Sequence, residues 1–206
     1  MARYDGSTAL IVVDVQNDFA DPAGSLYVPG GEAVVPIVDR EVAAARAAGA
    51  RMFYTQDWHP RSTPHFARDG GIWPVHCVAG TWGAELHPDL VVEGPVVRKG
   101  TGGEDGYSGF SVRHPVSGAS ERTELDGLLR EAGVRRVVIA GLATDYCVKA
   151  TSLDALELGY AVTVLTRGIR AVDLEPGDGD RAVAAMREAG VVLDDGDLGA
   201  GGTGTR

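Results

Sequence analysis

The chain has 206 residues and 44% hydrophobic content, enough for one sizeable core and too apolar for wholesale disorder. Its 19 basic against 29 acidic residues leave a net charge of −10, which argues against nucleic acid or an anionic membrane as a partner. No apolar run approaches the ~20 residues of a membrane span, and Met1-Ala-Arg-Tyr-Asp-Gly lacks an apolar signal core, so a cytoplasmic location is expected.

Taken in chain order, Thr8-Ala-Leu-Ile-Val-Val-Asp14 predicts a buried parallel strand that delivers a carboxylate to the sheet edge where such folds bind ligands. Val15 to Gly31, rich in Gly, Pro and Asp, reads as loop. Glu32 to Ala48 reads as a helix closed by Gly49, and Arg51 to Gln56 as the second strand. Residues 57–95 show no strong periodicity. They nevertheless hold four of the five histidines and all three tryptophans, so a functional loop is expected there. Val96 to Lys99 is a short strand ending in a lysine, followed by a Gly-rich turn through Gly109 and a helix over 122–132.

Val137 to Ala140 is a second continuous apolar run, predicted as a strand buried on both faces and ended by Gly141. From Thr144 the spacing turns helical, with Val148, Leu153, Leu156 and Tyr160 on one face. Thr144 or Asp145 is the expected cap and Gly159 the stop. Ala161 to Leu165 is a further strand, Pro176 to Glu188 a helix with Pro at its start, and Val191 to Leu193 a last strand. There is no internal repeat. Strands alternating with helices imply a single α/β domain over residues 1–198, with a flexible Gly-rich tail at 199–206.

Asp14, Lys99 and Cys147 all fall at or just past strand ends, so an acid, an amine and a thiol can converge on one edge of a parallel sheet. In the first turn of its helix, Cys147 would see the positive end of the dipole, which predicts a thiol pKa below the usual ~8.5. The division of labour follows from the chemistry. Cys147 attacks an acyl carbon, Asp14 takes and returns the proton, and Lys99 steadies the carboxylate and the developing charge. The alternative is a small buried thiol with no chemistry.

Asp57 and His59 alternate on an extended stretch and so point to one side, with His65 and His76 following. One carboxylate with two or three imidazoles suits Zn²⁺, Fe²⁺ or Mn²⁺ better than Ca²⁺ or Mg²⁺. His87 and His114 lack such company, and Cys77 points away from its neighbour His76, so none of the three is given a role. Two cysteines are too few for a disulfide scaffold. Neither Gly100-Thr-Gly-Gly-Glu-Asp-Gly106 nor Gly141-Leu-Ala-Thr-Asp145 fits a phosphate or dinucleotide loop, so no nucleotide cofactor is expected.

Several longer stretches, in order, resemble the nicotinamidase/pyrazinamidase branch of the isochorismatase-like cysteine hydrolases. They are Val12-Val-Asp-Val-Gln-Asn-Asp-Phe19, Gln56-Asp-Trp-His-Pro60, Trp73-Pro-Val-His-Cys-Val78 and on to Pro88, Arg98-Lys-Gly100 and Gly141-Leu-Ala-Thr-Asp-Tyr-Cys-Val148. The likeness runs from about residue 8 to 193. It implies a three-layer, Rossmann-like fold with a six-stranded, mostly parallel sheet and helices on both faces. It implies Cys147 as nucleophile, Asp14 as proton acceptor and Lys99 as its partner. It also implies Asp57, His59 and His76 as metal ligands, with His65 a fourth in some members only. A cis peptide at Leu142–Ala143 would aim the amides of Ala143 and Cys147 as an oxyanion hole, and Phe19, Trp73 and Tyr107 would wall a pyridine ring. The loop from Arg61 to Ile72 and the turn from Gly100 to Gly106 vary in the family, which leaves His65 open.

The expected activity is metal-dependent hydrolysis of nicotinamide, and of pyrazinamide, to the acid and ammonia. The partner is then a small pyridine carboxamide, with assembly as a homo-oligomer left open. The alternatives are an amidase or isochorismatase of the same superfamily acting on a non-pyridine substrate, and a non-catalytic binding domain.

Overall fold

Thirteen regular elements of the computed structural model, which describes residues 3–195, position the site. They run β1 (Thr8–Val13), α1 (Asn17–Ala20), α2 (Val35–Ala47), β2 (Arg51–Asp57), β3 (Val96–Lys99), β4 (Ser111–Arg113), β5 (Ser120–Arg122), α3 (Leu125–Glu131), β6 (Arg136–Leu142), α4 (Lys149–Glu157), β7 (Ala161–Arg170), α5 (Asp178–Ala189) and β8 (Val192–Asp194). Six of the strands form one sheet in the order β3-β2-β1-β6-β7-β8, every neighbouring pair parallel.

The layers follow from the strand period. Leu10 and Val12 of β1 face one core with Val35, Val38, Val42 and Ala45 of α2, residues spaced to share one helix face. Ala9, Ile11 and Val13 face the other core with Leu125 and Leu129 of α3 and Met186 of α5. With both faces covered, nothing in β1 or β6 needs to be polar until the strand ends, and the carboxyl ends become the place for chemistry.

The sequence reading and the fold differ at several points. Gly141 does not end its strand. It lies inside β6 at φ +126°, opposite Val13, and any Cβ there would collide with the Val13 carbonyl oxygen. Gly141→Ala is therefore expected to destabilise the fold by on the order of 2 kcal/mol or more, seen as a lowered thermal midpoint. The supposed loop of 15–31 contains α1 and leads into a 3₁₀ turn over Gly31–Val34. Pro176 precedes the helix it was expected to start, since Gly177 is the N-cap and α5 begins at Asp178. β7 runs on to Arg170, where a register shift lets Ile169 and Arg170 pair with Gly141 and Leu142. The antiparallel hairpin β4–β5 gave no sequence signal, because its three-residue strands are largely exposed and carry no apolar alternation. Residues 199–206, expected to be flexible, lie outside the described residues. No helix among the described residues is long and apolar enough to cross a membrane.

Candidate active site

Asp14, Lys99 and Cys147 meet at the carboxyl edge of the sheet. Asp14 follows β1 at φ +48°, a left-handed conformation that a non-glycine residue holds only where its surroundings fix it. Its backbone N–H donates to Thr55 O at 3.3 Å, and its Oδ1 accepts the Thr55 hydroxyl at 2.6 Å. Its Oδ2 lies 2.9 Å from Lys99 Nζ. The same ammonium pairs with the Asp57 carboxylate and stands 3.6 Å from Cys147 Sγ. All four residues are buried.

The expected low thiol pKa is overturned. Burial pushes the Cys147 thiol well up, the Lys99 ammonium opposes this, and the Asp14 and Asp57 carboxylates add to the rise. Burial and the two carboxylates favour the protonated thiol at rest, which then needs a base. Asp14 suits that task. Burial raises its proton affinity above that of an ordinary carboxylate, while Lys99 and Thr55 favour the ionised form. Burial also disfavours the charged form of Lys99, but Asp14 and Asp57 more than reverse this and keep it an ammonium.

Cys147 sits in a single π-helical turn, Thr144–Val148, ahead of α4. The expected α-helical start and its side-chain cap are both corrected. Neither Thr144 nor Asp145 caps this turn, and Asp145 instead accepts the Val172 and Asp173 amides at 3.0 and 2.9 Å, tying the far wall of the cleft to the helix start. Such turns recur at functional sites because they re-aim one side chain. The Leu142–Ala143 peptide is cis, and the Ala143 and Cys147 amides lie at a helix start, where first-turn N–H groups lack a carbonyl one turn back.

Asp57, His59, His65 and His76 gather next to this group. The three histidines can each bring one ring nitrogen within 4.8 Å of the others', and His59 Nε2 is 3.9 Å from Asp57 Oδ2. His76 Nδ1 donates to Pro74 O at 2.8 Å, which leaves its Nε2 as a lone-pair donor. Both ring nitrogens of the buried His59 lack a hydrogen-bond partner. Burial lowers the pKa of His59 to about 4 and lowers that of His76 as well, so both are neutral ligand-type imidazoles. Burial would raise Asp57, but Lys99, His59 and His76 bring its pKa down to about 2. A buried imidazole with two orphaned nitrogens, among other imidazoles and a carboxylate, fits a divalent transition metal.

Several residues that sequence reasoning left without a role hold this set in place. Gln16 clamps the Asp57 backbone, donating to Asp57 O and Ala84 O at 2.8 Å and accepting from Asp57 N at 2.8 Å. Asp18 accepts from Cys77 N at 2.7 Å and Ser25 N at 2.9 Å, linking the residue after His76 to the cavity wall. Gly100, at φ +76°, lies against His59 so closely that a Cβ would come 2.6 Å from Nδ1. The available signal was that Gln16, Asp18 and Gly100 all fall inside the stretches that carry the family resemblance. Cys77 is buried with its Sγ toward Gly83 O, and His87 and His114 only accept local backbone amides.

A narrow, aromatic-walled cleft joins the two groups. Phe19, Trp73 and Tyr107 line it, together with Leu26, Val28, Tyr146 and Val172, to which the sequence reading assigned no role. Trp73 Nε1 donates to Tyr107 Oη at 3.1 Å, and Tyr146 packs edge-on against Trp73 at 4.7 Å between ring centres. Cys147, Ala143, Asp57, His65 and His76 line it too, and a carboxylate oxygen of Asp57 lies within 4.8 Å of Cys147 Sγ.

Residues 8–196 match the model of the isochorismatase domain family. The chain is 38% identical over 203 residues to the nicotinamidase of Escherichia coli (strain K12), covering 90% of this chain and 93% of that one. It superposes with a TM-score of 0.81 on the pyrazinamidase of Pyrococcus horikoshii in complex with zinc, at 40% identity, covering 91% of this chain and 98% of that one. L. infantum PnC1 in complex with nicotinate gives a TM-score of 0.83 at 37% identity, covering 93% and 94%.

Proposed function

The chain belongs to the isochorismatase domain family, and on that premise we propose that it hydrolyses nicotinamide to nicotinate and ammonia through a thioester on Cys147. The observation that carries this reading is one aromatic-walled cleft lined by a thiol that lies against a buried carboxylate–ammonium pair and beside a buried carboxylate–imidazole cluster. The aromatic walls formed by Phe19, Trp73 and Tyr107 suit a flat ring, and the likeness to a nicotinate complex and a zinc complex points the same way.

Asp57, His59 and His76, with His65, would hold a divalent metal, which would supply a Lewis acid for a ring-nitrogen lone pair. With the ring held between Phe19, Trp73 and Tyr107, Cys147 Sγ attacks the carboxamide carbon as its proton passes to Asp14. The amides of Ala143 and Cys147 face the oxygen on which charge develops. When the carbon–nitrogen bond breaks, Asp14 returns the proton to the departing nitrogen, giving ammonia and a thioester. Asp14 then takes a proton from the attacking water and returns it to the Cys147 thiolate as nicotinate leaves. Lys99 remains an ammonium throughout and balances the charge on Asp14 and on the sulfur.

Turnover of three amides tests this. Nicotinamide and pyrazinamide keep a ring nitrogen in the same relation to the amide, whereas benzamide has the shape without the lone pair. Benzamide is expected to be at least ~10²-fold poorer in kcat/KM, because a site built around a polar contact rejects the analogue that lacks it. Chelation should abolish nicotinamide turnover and added metal should restore it. Equal rates on benzamide and nicotinamide would remove the ring contact and point to an amidase for non-pyridine substrates.

A further inference from the structure

We propose that Asp105, held in place by the β4–β5 hairpin, is a positioning residue that fixes His65 as a fourth ligand of the metal site. The proposal rests on the metal-dependent reading above. The family resemblance makes His65 a fourth ligand in some members only, because 61–72 and 100–106 are the two stretches where its pattern varies. In the folded chain these two stretches meet.

His65 Nδ1 lies 2.7 Å from Asp105 Oδ1. An ionised carboxylate only accepts, so Nδ1 carries the hydrogen and Nε2 keeps its lone pair. The His65 ring stacks on His59 at 4.9 Å between centres and lies 5.3 Å from His76, with one nitrogen of each ring within 4.8 Å of the others.

Asp105 is itself fixed. Its Oδ1 also accepts Gly106 N at 2.8 Å, and its backbone exchanges two hydrogen bonds with Arg113, N to O at 2.8 Å and O from N at 2.5 Å. Arg113 belongs to β4, which pairs with β5 from Ser111–Arg122 to Arg113–Ser120. The hairpin thus extends by one bridge to the residue that orients His65. An ordinary half-exposed His–Asp pair would need no such support and would contribute little. A carboxylate behind a ligating imidazole sets its tautomer and ring angle, and its loss weakens metal binding.

The test is a double-mutant cycle read as zinc affinity of purified protein against a chromogenic chelator, using wild type, Asp105→Ala, Asp105→Asn, His65→Ala and the Asp105→Ala/His65→Ala pair. Asp105→Ala is expected to weaken zinc binding roughly 10- to 100-fold. Asp105→Asn keeps an accepting oxygen and should lose less, which also covers the case in which the alanine variant folds poorly. In the His65→Ala background, Asp105→Ala should change affinity by no more than about twofold. Cobalt-loaded Asp105→Ala should shift its visible spectrum toward that of His65→Ala. Wild-type affinity and spectrum in Asp105→Ala would overturn the proposal while leaving the metal-dependent activity standing. So would an equal loss in both backgrounds, which would mean that Asp105 merely braces the turn. A wild-type protein that binds no zinc would overturn this proposal together with the reading it rests on.

Discussion

Cys147→Ala is expected to lose turnover by on the order of 10⁴-fold or more while still binding nicotinamide. The groups that would grip the ring, Phe19, Trp73 and the Asp57–His cluster, do not need the sulfur to do so. Removing a sulfur that is only 6% exposed leaves a small void and no unpaired charge, since Lys99 keeps both carboxylates. Cys77→Ala should remain active, because that sulfur is fully enclosed near Gly83 O and lines no cavity described for the ring. A small alkylating reagent should modify Cys147 before Cys77, and nicotinamide should slow the first reaction only. Measured by peptide mass spectrometry, the reverse order would displace Cys147 from its assigned role.

Asp14→Asn should lower kcat by on the order of 10²-fold or more with a smaller effect on KM. The amide keeps the shape and can still accept the Thr55 hydroxyl, and Lys99 stays paired with Asp57, so no buried charge is abandoned. What is lost is the ability to take the proton of a thiol that burial holds well above its usual pKa. A group whose proton affinity is raised in this way cannot ionise unaided near neutrality, and the effect on rate should be correspondingly large. Lys99→Arg should fail as well. A planar guanidinium cannot sit where one compact ammonium touches Asp14, Asp57 and Cys147 together. Near-normal kcat in Asp14→Asn would show that another base serves Cys147.

The parallel sheet was legible because both central strands are uninterrupted apolar runs, and their ends carried the acid and led to the thiol. Asp57 and His59 were legible because alternation on an extended chain is a local property. The thiol's pKa was misjudged for the opposite reason. A helix dipole can be read from sequence, whereas the depth of burial and the approach of Asp14 and Asp57 depend on strands far apart in the chain. Gln16, Asp18 and Asp105 act through partners 40 to 68 positions away and Tyr146 through a cavity wall, so spacing alone could not assign them. The β4–β5 hairpin is short and polar, and only its bridge to Asp105 gives it a place in the site.

The most direct measurement is a single-turnover acid quench with enzyme in excess over nicotinamide, followed by peptide mass spectrometry. Thioesters survive acid, so an acyl group on Cys147 can be counted at each time. The expected result is a nicotinoyl group that appears on the Cys147 peptide as nicotinamide disappears and is lost as nicotinate forms. Nicotinamide converted to nicotinate with Cys147 unmodified at every time, or with the acyl group on another residue, would contradict the thioester route.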